Sequence, residues 1–148
     1  MLKEEARKIS LALGGALLVA LGFAGLLETI VKAALWSITG ALIWSYVESL
    51  LQELTPLVGV AGVLGLILFI LSISADLAVI GIGYEIYRMS EGKKIINLSK
   101  VDKLIKILAV VLFFSVISES IISSLASLLA LIGLYLTKES YKARTTST

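Results

Sequence analysis

Two carboxylates, Asp76 and Glu119, lie in the most apolar parts of this sequence. Asp76 is the only charged residue between Leu57 and Gly83, and Glu119 interrupts a long apolar run near the C-terminus. A charge inside a membrane is expensive to bury, so such residues commonly line ion paths or form polar helix contacts. Serines accompany the two carboxylates at or close to four-residue spacing: Ser72, Ser115 and Ser123. These five residues predict either a path for protons or cations, or hydrogen bonds that fix helix register.

The residues that most enzymes use for catalysis or metal binding are missing from this sequence. The chain has no Cys and no His, which excludes disulfides, thiolate or imidazole metal sites, and His-based catalytic triads. The glycines match no phosphate-binding loop, because no strand precedes them and no Gly-Lys-Ser/Thr follows. The sequence therefore predicts no enzyme, no metal and no cofactor.

A basic cluster lies in the second half of the chain: Arg88, Lys93, Lys94, Lys100, Lys103 and Lys106. Basic residues next to a membrane attract anionic lipid headgroups, at about 1 kcal/mol per residue near the surface. Nucleic acid responds to the same charges, but no aromatic residues alternate with these lysines as they do in many nucleic-acid-binding surfaces. We therefore expect membrane lipids as partners, with nucleic acid as the weaker alternative.

Composition places the chain in a membrane. Its 148 residues are 58% hydrophobic, against about 45–50% in soluble domains. Several apolar runs reach the roughly 20 residues that a helix needs to cross a bilayer. The sequence predicts an all-α integral membrane helical bundle of about four long hydrophobic helices. Segment lengths favour four crossings, whereas the distribution of Lys and Arg favours three or five.

Turn and cap signals divide this single predicted domain, residues 1–148. Glu28 and Lys32 predict a turn between two apolar runs, and the alternative is one long kinked helix that carries the pair. Thr55-Pro56 predicts a helix start, and Gly92 predicts a helix end. Ser99 is predicted to begin a capping box. The predicted segments are an N-terminal helical hairpin (1–54), a central helix (56–91), a basic loop (92–99), a C-terminal helix (100–136) and a polar, mobile tail (137–148).

Small residues recur at helical spacing in two places. The first set is Ala12, Ala16, Ala20 and Ala24, and the second is Gly59, Ala61, Gly62 and Gly65. Small residues on a membrane helix let another helix backbone approach closely. Both sets therefore predict helix packing, and they favour a homo-oligomer.

The chain resembles, in style, the small hydrophobic membrane proteins of unknown function found in thermophilic archaea, and the hydrophobic virion proteins of archaeal viruses. The resemblance rests on size, small-residue ridges, the lysine-rich loop, the lack of Cys and the scarcity of side-chain amides; no family motif is matched. It implies a self-associating component of a cell membrane or virion envelope. The leading hypothesis is a non-enzymatic structural or assembly role, and the alternative is a small proton or cation channel or transporter using Asp76 and Glu119.

Overall fold

A computed structural model describes residues 2–47, 55–92, 97–117 and 120–145. These residues form four α-helices and no strand, which confirms the all-α prediction. The helices are α1 (Leu2–Val47), α2 (Thr55–Ser90), α3 (Leu98–Ile117) and α4 (Ile121–Thr145). Three of the described helices contain segments long and apolar enough to cross a membrane: Lys3–Leu42, Gly59–Ser90 and Ile121–Ala143.

Helix α1 runs without interruption through Glu28 and Lys32, so the predicted N-terminal hairpin with a turn at these residues is wrong. The helix has 46 residues and is about 69 Å long at 1.5 Å per residue. Lys32 Nζ lies 2.5 Å from Glu28 Oε1, and an i,i+4 pair in this order stabilises a helix. The two charges are thus paired along the helix surface, and no Gly or Pro lies between them.

Helix α2, Thr55–Ser90, lies within one residue of the predicted central helix 56–91 at each end. It begins at Thr55, and Gly92 follows its end with a φ of 71°, a left-handed conformation that favours glycine. The cap of α3 differs from the prediction, because Asn97 is the N-cap residue in place of Ser99. Asn97 Oδ1 accepts a hydrogen bond from the Ser99 backbone N–H at 3.0 Å. Of the predicted basic loop, residues 93–96 lie outside the described residues.

The predicted C-terminal helix 100–136 is two helices, which corrects that prediction. Helix α3 ends at Ile117, and Ser120 caps α4, because its carbonyl oxygen accepts the first helical hydrogen bond from Ser124 N–H at 3.0 Å. Serines compete with the helix backbone for hydrogen bonds and favour caps and turns, which explains the break in this serine-rich stretch. Helix α4 then continues to Thr145, so residues 137–145 of the predicted mobile tail are helical, and 146–148 lie outside the described residues.

Packing divides the chain into two compact units, where the sequence predicts one domain. The four-segment unit, named for its four helical segments from α1, α2, α3 and α4, comprises Met1–Leu21 and Val79–Thr148. The two-segment unit contains one segment each of α1 and α2 and comprises Gly22–Ala78. In the four-segment unit, the start of α1, the end of α2, and both α3 and α4 contribute to one apolar core. Its buried members are Leu11, Leu18, Ile86, Met89, Val101, Leu104, Leu108, Ala126, Ala130 and Leu134.

Glycines make the closest helix contacts in the four-segment unit. A Cβ added to Gly15 would lie 2.6 Å from the Tyr87 backbone nitrogen, and one added to Gly83 would lie 2.8 Å from the Gly15 carbonyl oxygen. A Cβ on Gly14 would likewise lie 2.5 Å from the Ala130 nitrogen. These distances leave no room for a side chain, so α1 packs on α2 and α4 through glycine.

The alanine ridge of α1 lies beside this glycine contact. Ala12 is half-buried, whereas Ala16, Ala20 and Ala24 are exposed. The part of α1 that packs within the chain is therefore the face of Gly14 and Gly15. Packing through the exposed alanines stays a prediction that concerns contacts outside this chain.

Candidate functional site

A hydrogen-bonded chain of three side chains lies within the two-segment unit. Thr29 Oγ1 of α1 donates to Asp76 Oδ2 of α2 at 3.2 Å, and Thr29 Oγ1 lies 3.0 Å from Ser72 Oγ. A hydroxyl has one hydrogen to donate, and Thr29 gives it to the carboxylate, so Ser72 donates to Thr29. The order Ser72, Thr29, Asp76 is thus fixed. Two of the five predicted path residues, Ser72 and Asp76, meet through Thr29.

Gly25 makes room for the Asp76 carboxyl group beside α1. It lies one turn before Thr29, and a Cβ at this position would collide with Asp76 Oδ1. Asp76 and Thr29 are both half-buried, and the surrounding sequence is apolar. The hydrogen bond to Thr29 therefore satisfies part of a carboxyl group whose neighbours offer few other donors.

Sequence reasoning missed Thr29 as the partner of Asp76. The sequence does contain a feature that points to Thr29, because Thr29 is a hydroxyl residue one helical turn after Gly25 in an apolar run. The predicted turn at Glu28 and Lys32 placed Thr29 at a membrane surface instead. Once α1 is continuous, Thr29 lies on the body of the helix, where it can face α2.

A second polar contact joins α3 and α4 in the four-segment unit. Ser115 Oγ donates to the Val111 carbonyl oxygen at 2.7 Å and lies 2.9 Å from Ser123 Oγ. With Ser115 already donating, Ser123 supplies the hydrogen between them. The structure brings these two predicted residues together, and Glu119 lies outside the described residues. The two polar contacts belong to different units.

The predicted headgroup-binding residues that the structure describes belong to the four-segment unit. Arg88 stacks its guanidinium over the Tyr84 ring at 5.8 Å, a cation–π contact. Lys100 Nζ lies 3.0 Å from Glu85 Oε1, which ties α3 to α2. Lys103 and Lys106 are exposed on α3, and Lys93 and Lys94 lie outside the described residues.

A salt bridge that the sequence did not predict joins the charged ends of α3 and α4. Lys138 Nζ lies 2.6 Å from Asp102 Oδ1. This hydrogen bond holds the pKa of Asp102 below its usual value, and the nearby charges of Lys106 and Lys142 act in the same direction. Asp102 is therefore ionised at neutral pH, and the charges of three lysines act on its carboxylate.

The glycine face of α2 has no neighbour within the described chain. Gly59, Ala61, Gly62 and Gly65 are exposed, and a Cβ at any of the three glycines would meet no atom within 4 Å. The large apolar residues between and beyond them are exposed as well: Val60, Val63, Leu64, Leu66, Ile67, Leu68, Ile70 and Leu71. Little of this part of α2 is covered by the rest of the described chain.

Comparison with the known protein families, with curated proteins and with solved structures gives no match to this chain. Its function must therefore be argued from the chain itself. Three features are available for that argument: the uncovered apolar surface of α2, the Ser72–Thr29–Asp76 hydrogen-bonded chain, and the charged ends of α3 and α4.

Proposed function

We propose that this chain is a non-enzymatic integral membrane protein whose copies associate with one another and serve a structural or assembly role. The observation that carries the proposal is the exposed glycine face of α2, set among exposed apolar side chains. Exposed apolar surface of this extent is stable in lipid and would aggregate in water. A membrane location thus accounts for the apolar residues, and the glycines remain to be explained.

Glycines on a membrane helix favour association between helices. Lipid covers Leu and Val as well as another helix does, so packing in a bilayer depends on close van der Waals contact, which small residues permit. Gly59, Gly62 and Gly65 lack a neighbour inside the chain, and a second copy of α2 would supply one. Ala16, Ala20 and Ala24 offer a further face of the same kind on α1.

The same role has a more specific form, that of a hydrophobic envelope or capsid component of an archaeal virus. Its support is the resemblance in composition to such proteins and the basic residues at the end of the four-segment unit. In either a virion or a cell membrane, the lysines contact anionic headgroups while the helices pack in the hydrocarbon layer.

Electron microscopy of the protein reconstituted into bilayers at high protein content tests the proposed role. We expect repeating arrays or uniform multimeric particles, because each copy offers small-residue faces to its neighbours. Single, separate copies at every protein-to-lipid ratio would contradict the proposal.

A second candidate function is conduction of protons or small cations, favoured by the chain Ser72–Thr29–Asp76. A carboxylate and two hydroxyls linked at 3.0 and 3.2 Å can pass a proton or coordinate a cation with their oxygens. The hydrogen bonds equally well fix the register of α1 against α2, which is the contribution they make in a structural protein.

Asp76→Asn separates these two roles. If the chain conducts, ion flux into liposomes should fall to the level of protein-free liposomes, since the neutral amide cannot carry the proton or charge. Ser74→Ala is the matched control, because the Ser74 hydroxyl donates a hydrogen bond to the Ile70 carbonyl oxygen of its own helix at 2.8 Å. Ser74 takes no part in the hydrogen bonds that link Ser72, Thr29 and Asp76. Flux that is absent in the wild type, or unchanged in Asp76→Asn, contradicts the channel.

A further inference from the structure

Two apolar depressions lie end to end along one side of the α3–α4 pair. The larger, of about 690 Å³, includes Leu112 and Val116 of α3, and the smaller, of about 290 Å³, includes Ile105 of the same helix. Residues 105, 112 and 116 share one helix face by their spacing. On α4 the lining runs from Ile121 to Leu136. The two depressions thus follow one another on the same side of the α3–α4 pair, and together they are called the α3–α4 groove here.

The groove has the length of a lipid chain. From Ile121 to Tyr135, α4 rises about 21 Å, which exceeds half of a hydrocarbon core of roughly 30 Å. A chain from one leaflet can therefore lie along it for its full depth. Leu128, at its centre, is half exposed, so the groove is open at the side where lipid lies in a membrane.

The groove ends at a group of lysines. Lys138 and Lys142 follow Tyr135 by three and seven residues, so they continue the same face of α4. On α3, Lys106 lies beside the groove residue Ile105 and one helical turn after Asp102. Lys138 is bonded to Asp102 at 2.6 Å, and Lys142 follows Lys138 by one helical turn, as Lys106 follows Asp102, so the three ammonium groups lie on neighbouring turns of the two helices. Glu139 follows Tyr135 by four residues and adjoins the same group, so two carboxylates, Asp102 and Glu139, stand against three ammonium groups, and the net charge of the group is positive.

The two ends of the α3–α4 pair have opposite character. At one end Asp102 meets Lys138, and at the other Ser115 meets Ser123, so the helices are antiparallel. The lysines lie at the charged end, beside the C-terminal limit of the apolar span Ile121–Ala143. Lysines at the end of a membrane span reach the headgroup layer.

We propose that the α3–α4 groove holds an anionic phospholipid, with a hydrocarbon chain along the groove and the phosphate at Lys106, Lys138 and Lys142. The apolar length and the positive end match the two parts of such a lipid, and neither part alone would select it. The inference rests on the membrane location in the proposed function. It does not depend on association between copies.

Native mass spectrometry of the full chain in mild detergent tests this site. Phosphatidylglycerol is the anionic probe, and phosphatidylcholine with the same chains is the zwitterionic one. The wild type should retain phosphatidylglycerol preferentially, and the double variant Lys106→Gln/Lys142→Gln should bind it about tenfold more weakly, while phosphatidylcholine binding changes little. Leu128→Trp, which fills the groove, should weaken both lipids.

Lys8→Gln/Lys32→Gln is the matched control, since it removes two exposed lysines of α1, a helix that contributes no residue to the lining of the groove. It should retain the wild-type preference, and helix content measured by circular dichroism should be the same in all variants. Equal loss in the control and the groove variant would overturn the site, as would displacement of the lipid by millimolar inorganic phosphate. If Leu128→Trp changes the oligomer mass but not the bound lipid, the groove belongs to a second copy and the proposal fails.

Lipid bound per chain and copies per particle are read from the same spectra. Lipid retained by single copies would support the groove site and contradict self-association. Multimers that show no preference for phosphatidylglycerol would support self-association and contradict the groove site.

Discussion

Replacing Gly83 with leucine is expected to disrupt the four-segment unit. A Cβ at this position would lie 2.8 Å from the Gly15 carbonyl oxygen, the Leu18 Cβ and the Val19 backbone nitrogen. Two of these three atoms belong to the α1 backbone, so the helices must separate rather than a side chain turn aside. Separation exposes the buried core residues Leu18 and Ile86. We expect a loss of at least about 1–3 kcal/mol, the usual cost of overpacking, because leucine adds more than one methyl group.

Unfolding in mixed micelles with increasing dodecyl sulfate, followed by circular dichroism, measures this loss. Gly81→Leu is the matched control: it lies on the same helix, two residues earlier, and a Cβ there meets nothing within 4 Å. The control should unfold at or above the wild-type concentration, since leucine favours helix more than glycine does. If the two variants unfold together, the contact of α1 with α2 at Gly83 is not as described.

Replacing Gly62 with leucine is expected to separate the copies while leaving each copy folded. The added side chain meets no atom of its own chain within 4 Å, so the stability of the monomer should not fall. Between copies it would hold the helix backbones apart and remove the close contact that favours association in lipid. An overpacking cost of about 1–3 kcal/mol weakens association roughly five- to 150-fold.

Single-molecule photobleaching in supported bilayers counts the copies in each particle and measures this effect. Gly40→Leu is the control, because Gly40 is an equally open glycine, in α1, outside the glycine face of α2. We expect several bleaching steps for the wild type and Gly40→Leu, and mainly one step for Gly62→Leu. Unchanged step counts in Gly62→Leu would show that association, if present, uses another surface.

Local signals in the sequence were sufficient to predict α2. Thr55-Pro56 and Gly92 act through the backbone preferences of those residues alone, and the predicted limits, 56 and 91, lie within one residue of the observed helix. The all-α class and the long apolar segments follow from composition in the same way. These predictions hold because they require no knowledge of which helices contact each other.

The helix boundaries that were predicted incorrectly depend on charged residues and serines, whose pattern is compatible with two different structures. Glu28 and Lys32 are equally compatible with a turn at a membrane surface and with an i,i+4 pair on a continuous helix, and the structure has the second. The serines near the end of α3 look like a polar stripe on one helix but cap a new one at Ser120. Length argued against a continuous α1, but a helix can extend beyond the roughly 30 Å of hydrocarbon.

The candidate sites could be predicted only in part. Asp76 is conspicuous in the sequence, but its partner Thr29 is 47 residues away, and their meeting depends on how α1 and α2 pack. The lysine group at the α3–α4 groove depends in the same way on the antiparallel contact of Asp102 with Lys138. Long-range contacts of this kind leave no periodic pattern in the sequence.

Self-association in a membrane is the central claim, and resonance energy transfer under lipid dilution tests it most directly. Separately labelled donor and acceptor copies of the wild-type protein are mixed in vesicles, and the lipid-to-protein ratio is raised stepwise. Specific association predicts that energy transfer persists over the dilution series and falls when unlabelled protein is added. Transfer that declines with dilution as it does for randomly distributed monomers would contradict the claim.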